Sequence, residues 1–114
     1  MIKISKELIG ASSVPLILSI LEKEESYGYE IIKRVKELSK GKIKWSDGML
    51  YPVLRKMEKQ KLISSKWRMA ENGRRRKYYF IEHNGREMLD TEMRNWKIFI
   101  QMFKELWKPQ TRPT

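Results

Sequence analysis

The sequence predicts a mainly α domain with a two-stranded β-hairpin, ending in a long helix. Three observations carry that expectation. Apolar residues recur at helical spacing in three short stretches before residue 62. Two β-prone runs, 62–68 and 77–81, flank the turn-forming pair Asn72-Gly73. Beyond residue 84, Leu89, Met93, Trp96, Ile100, Phe103 and Trp107 follow the 4-3-4-3-4 spacing of an a/d seam.

Residues 1–7 are polar and read as frayed. The first helix is expected to start near Val14, capped by Ser12 or Ser13 with Pro15 in its first turn, and to end near Glu24. It would bury Val14, Ile17, Leu18 and Leu21. Ser26 reads as the N-cap of a second helix, about Tyr27 to Ser39, with Tyr27, Ile31, Val35 and Leu38 on its apolar face. Gly28 is unexpected inside a helix and points to a close backbone contact, and Gly41 is a stop signal. Lys42 to Trp45 reads as a brief extended segment.

The third helix is expected from a Ser46 cap to about Lys61, with Leu50, Val53, Leu54 and Met57 facing inward. Pro52 removes the hydrogen bond to the Gly48 carbonyl and is expected to loosen or bend the first turns. In the hairpin, Ile63, Ser65 and Trp67 share one side. A last helix, Asn84 to Trp107, is about 36 Å long at 1.5 Å per residue. Besides its seam it carries a second apolar stripe, Phe99, Met102 and Leu106, more than a chain of 114 residues easily covers. Three compact helices followed by a hairpin make a winged helix-turn-helix arrangement, to which a long C-terminal dimerisation helix is added.

Charge is concentrated as well as abundant. The net charge is +11, and residues 42–80 hold twelve lysines and arginines against three acids. A polyanion is the natural partner of such a surface. On the third helix, Ser46, Gly48 and Tyr51 lie at the end expected to meet base edges. Arg55 and Lys56 lie a turn further on, and Lys59 is suited to phosphate. The wing adds Arg74, Arg75, Arg76 and Lys77, suited to phosphates or a narrow minor groove. Two such recognition helices about 34 Å apart would fit successive major grooves of double-stranded DNA. The competing reading is a basic protein-interaction adaptor without operator specificity.

Enzyme chemistry finds no support. There is no cysteine, the lone His83 sits at the hairpin-to-helix junction, and the glycines form no phosphate loop. No metal or cofactor is expected. No apolar run is long enough to span a bilayer, so a soluble cytoplasmic protein without membrane partners is expected. In the last helix, Leu89, Met93, Trp96, Ile100, Phe103 and Trp107 are the candidate interface of a homodimer. Trp96 and its mate, with Met93, Phe99 and Ile100, could hold a flat aromatic guest.

The segments YGYEI (Tyr27–Ile31), GMLYPVLRKMEKQKLI (Gly48–Ile63) and GRRRKYYFI (Gly73–Ile81) resemble the PadR family of bacterial transcriptional regulators. The resemblance runs from Ile9 to about Leu106, and the single C-terminal helix is similar to that of the short subgroup. It implies a homodimer that represses genes by binding a palindromic operator. Some members answer to small aromatic compounds or antimicrobials and control detoxification or efflux genes. Two features depart from the pattern: Ile81-Glu82 where the family often has Leu-Thr, and three consecutive wing arginines. The expected division is a winged helix-turn-helix DNA-binding domain over 1–82, a dimerisation helix over 83–108 and a disordered tail over 109–114.

Overall fold

The computed structural model describes residues 3–109. The tail expected over 109–114 lies outside them apart from Pro109. The elements run α1 (Lys6–Lys23), β1 (Ser26–Tyr27), α2 (Gly28–Leu38), α3 (Asp47–Lys59), β2 (Ile63–Met69), β3 (Arg75–Ile81) and α4 (His83–Leu106). The fold is a mainly helical winged helix-turn-helix with a small antiparallel sheet and a long last helix.

The first helix begins eight residues before Val14, the start read from the sequence, and residues 6 and 7 belong to it. Ser5 caps it, its hydroxyl accepting from the Leu8 N–H at 3.2 Å. Ser12 and Ser13, expected as caps, lie mid-helix and donate back to the carbonyls of Ile9 and Gly10. Pro15 is an interior residue. Burial of Ile17, Leu18 and Leu21 in the core outweighs these weak helix formers.

The sheet has three strands, ordered β1-β3-β2, where the sequence indicated only a hairpin. Ser26 pairs with Tyr79 and Tyr27 with Tyr78, a strand too short to leave an alternating pattern. Ser26 is therefore a buried strand residue and not the N-cap of α2. Tyr27 holds the cap position, its N–H donating to Glu30 Oε1 at 3.3 Å. Leu38, expected on the apolar face of α2, is 57% exposed, because the helix ends at this residue. Gly41, at φ +81°, turns the chain, its N–H closing on the Lys36 carbonyl at 2.7 Å.

Ser46 caps α3, accepting from the Met49 N–H at 3.2 Å. The helix continues without a break through Pro52, so the expected loosening does not interrupt it. Pro52 and Gly48 both face solvent, where water can serve the Gly48 carbonyl that Pro52 leaves unbonded. The hairpin turns at Ala70–Gly73, with the Gly73 N–H donating to the Ala70 carbonyl and Gly73 at φ +82°. Glu82 caps α4 through its backbone alone, a poor cap for this helix.

Six side chains are essentially free of water: Ile17, Leu18, Ile31, Leu50, Leu54 and Met57. Each contributes about 1.5–3 kcal/mol by burial. The start of α4 joins this core through Gly85, where an added Cβ would lie 2.2 Å from the Leu62 carbonyl oxygen. We expect Gly85→Ala to lower unfolding free energy by about 1–3 kcal/mol. Gly10→Ala, with nothing within 4 Å of an added Cβ on α1, should instead raise it by about 0.5–1 kcal/mol. Urea denaturation of both variants distinguishes the two; equal shifts would contradict the packing described.

Candidate nucleic-acid interface

The amphipathic pattern of α3 divides its candidate residues cleanly. Leu50, Leu54 and Met57 are buried and Val53 half-buried. Ser46, Gly48, Arg55, Lys56 and Lys59 all lie in solvent. The helix therefore presents a free N-terminal end followed by three cations, none of them in an ion pair among the described residues.

Tyr51 has a different setting. It is half-buried and packs against the core. A Cβ added at Gly28 would lie 2.3 Å from its hydroxyl oxygen. The close contact anticipated for Gly28 is thus Tyr51, and a side chain nominated to read bases forms the spacer between α2 and α3. This contact supplies a test. Gly28→Ala should cost about 1–3 kcal/mol in the wild-type background and much less in a Tyr51→Ala background. The non-additivity is measured by urea denaturation of the four proteins, and strictly additive effects would contradict the contact.

The far end of α3 is tied to the hairpin by Glu58. Its carboxylate accepts from the Ser65 hydroxyl at 2.9 Å and lies 3.6 Å from the Lys77 ammonium. Beside it, burial first, then the Glu58 carboxylate and Tyr51, push the Tyr79 phenol up to about 12. Tyr79 therefore stays neutral at any physiological pH.

The wing cations are not equivalent. Arg74 and Arg75 are exposed at the tip, with Arg75 lying 5.4 Å from the ring centre of Trp67. Arg76 and Lys77 are half-buried. Arg76 rests on Tyr27 at 4.2 Å, and Lys77 lies beside Tyr79 at 5.8 Å. The sequence alone points to no role for Glu58, Trp67 or Arg68. The alternation that places Trp67 with Ile63 and Ser65 signals its face, but nothing local reveals the partners of Glu58 and Arg68.

On α4 only Leu89 among the seam residues is buried, and it lies in the chain's own core. Trp96 is half-buried, its indole N–H donating to Glu92 at 3.1 Å. Met93, Ile100, Phe103 and Trp107 are exposed, as are Ile98, Phe99, Met102 and Leu106. Phe103 and Trp107 stack on each other at 4.7 Å, the latter 75% exposed. The stripe runs back past Met88 and Glu92 into an open groove of about 730 Å³ between α1, α3 and α4, lined by Ile9, Val14, Met49 and Val53. Among the described residues no cluster of acidic and histidine side chains could hold a metal ion, and no helix is long and apolar enough to cross a membrane. His83 is an exposed residue paired with Glu87 at 2.8 Å.

The pattern of the transcriptional regulator PadR-like family matches residues 17–91, the C-terminal part of α1, all of α2 and α3, the hairpin and the start of α4. The chain belongs to this family. It is a family of transcriptional regulators and not of enzymes, and membership implies DNA binding. The chain is similar to a PadR-like regulator from Bacillus cereus, with a TM-score of 0.82 at 28% identity over 92% of this chain and 100% of that one. It is similar also to a PadR family regulator from Clostridium difficile, with a TM-score of 0.74 at 32% identity over 85% of this chain and 99% of that one. Of the curated proteins, transcriptional regulator YqjI of Escherichia coli is 41% identical over 49 residues, 43% of this chain. The match spans about a quarter of that relative's length, 24%. Among the described residues one helix, α4, follows the hairpin, as in the short PadR subgroup.

Proposed function

We propose that this PadR regulator is a homodimeric repressor that binds a palindromic operator in double-stranded DNA. The observation that carries the reading is that Glu58 of α3 contacts Ser65 and Lys77 of the hairpin, so two basic elements are held against each other. Ser46, Gly48 and the first turn of α3 approach base edges. Arg55, Lys56 and Lys59 anchor phosphates, and Arg74 and Arg75 follow the neighbouring backbone. Arg76 and Lys77, leaning on aromatic rings, hold the wing and add to the local field. Tyr51 acts on recognition mainly by setting how far α3 stands from α2.

The second copy covers the apolar stripe of α4. An isolated protomer leaves Phe99, Ile100, Phe103 and Trp107 in water, an arrangement characteristic of an interaction face. A twofold axis crossing α4 near Trp96 brings two indoles together, flanked by Met93, Phe99 and Ile100. That is a site for a flat aromatic effector, and such an effector suits control of detoxification or efflux genes.

We expect Arg74→Ala with Arg75→Ala to weaken binding to all duplexes and to reduce the slope of log affinity against log salt by about 1.8, some 0.9 for each phosphate no longer neutralised. An unchanged slope would remove the wing from the interface, and equal affinity for all sequences in the wild type would favour an adaptor. Phe103→Asp should give a monomer in sedimentation equilibrium and remove the part of the tryptophan-fluorescence quenching by planar aromatic compounds that Trp96→Phe also removes, the chain having four tryptophans. A dimer that persists, or survival of that part of the quenching in the monomer, would contradict the shared interface and pocket.

A further inference from the structure

The outer face of the sheet carries a layer of cations on aromatic rings, of which the DNA reading uses only Arg76. β3 lies between β1 and β2. Arg68, on β2, crosses over β3, with its guanidinium 5.3 Å from the Tyr78 ring centre and 5.1 Å from that of Phe80. Beyond β3 it meets both carboxylate oxygens of Glu25, the residue just before β1; the Nη2–Oε2 contact is 3.1 Å. Directly opposite Arg68 in the ladder stands Arg76. Two facing cations repel unless each finds a partner. Arg68 takes the carboxylate, and Arg76 takes Tyr27, which meets Tyr78 edge-on at 5.3 Å.

We propose that Arg68 and Glu25 are positioning residues, a strap that fixes the angle of the wing against the helices. The proposal rests on the operator reading above. Glu25 precedes the segment Ser26-Tyr27-Gly28, and Gly28 carries Tyr51 of α3. The strap therefore connects the wing to the recognition helix from the outer face of the sheet, while Glu58 connects them from the inner face. β1 contributes only two residues to the sheet, too few to set this angle alone. A forked guanidinium–carboxylate pair fixes orientation as well as distance, which a lysine cannot do. Both side chains are more than a third exposed, so the pair contributes little to global stability. Its effect lies in where the wing points. Because Glu25 already matches its charge, Arg68 adds no phosphate contact.

The test uses Glu25→Gln and Arg68→Lys in the full chain. Amide exchange at the wing tip, residues 69–75, is followed in the free protein. Affinity is measured across a salt series for a duplex carrying the selected palindromic site and for a random duplex of equal length. Both variants should exchange faster at the tip and bind the selected site about two- to fivefold more weakly, the equivalent of one exposed ion pair, with the salt slope unchanged. Unchanged exchange in both would overturn the strap. So would Arg68→Lys behaving as wild type, because the fork would then be dispensable. Tighter binding by Glu25→Gln with a slope steeper by about 0.9 would make Arg68 a masked phosphate ligand and also overturn it. A wild-type protein that does not prefer the selected site would defeat the operator reading instead, leaving the exchange measurement to judge the strap.

Discussion

Glu58 accepts a hydrogen bond from Ser65 and faces Lys77, and through these two contacts α3 and the wing share one frame. Leu54 and Met57 of α3 and Ile63, Tyr79 and Ile81 of the hairpin already share one apolar core, and Glu58 adds a directional polar tie at its edge. The carboxylate is only partly exposed, so salt screens this tie less than it screens the open cations around it. The near end of α3 is fixed by a different kind of contact, the Tyr51 ring against a glycine that has no Cβ to resist it. A polar tie at one end and a steric stop at the other hold the helix, and Arg55, Lys56 and Lys59 have no ion-pair partner among the described residues.

The distribution of charge follows from this frame. Cations that hold the wing have partners: Arg68 on Glu25 and two rings, Arg76 on Tyr27, Lys77 on Glu58. Arg74 at its tip and the cations on the outer side of α3 face water, and Arg75 lies over the exposed Trp67 ring. A run that reads as RRRK in the sequence thus separates in the fold into exposed Arg74 and Arg75 and half-buried Arg76 and Lys77. The same separation of structural from free groups marks α4, where Leu89 belongs to the chain's own core and the seam beyond it is left uncovered.

Most of the fold was legible because periodicity survives burial. Leu50, Leu54 and Met57 mark the inner side of α3, Asn72-Gly73 marks the wing turn, and Ser46 marks the cap where it is found. The start of α1 was not legible, since Gly10, Ser12, Ser13 and Pro15 all argue locally against a helix that tertiary packing imposes. A two-residue strand has no period to detect, so β1 reads as a helix cap. The role of Tyr51 was hidden for another reason. A helical wheel places it on the polar side of α3, but only the fold brings α2 close enough for Gly28 to receive it. Glu25 and Arg68 are 43 residues apart, and no local pattern joins them.

The central claim is that one rigid pairing of helix and wing, duplicated by a second copy, reads a symmetric site. Selection of bound duplexes from a random-sequence pool tests it most directly. The account predicts enrichment of a palindrome whose half-sites are centred about 10–10.5 base pairs apart, or a multiple of that spacing. A pool that is bound through many rounds yet stays random would contradict it.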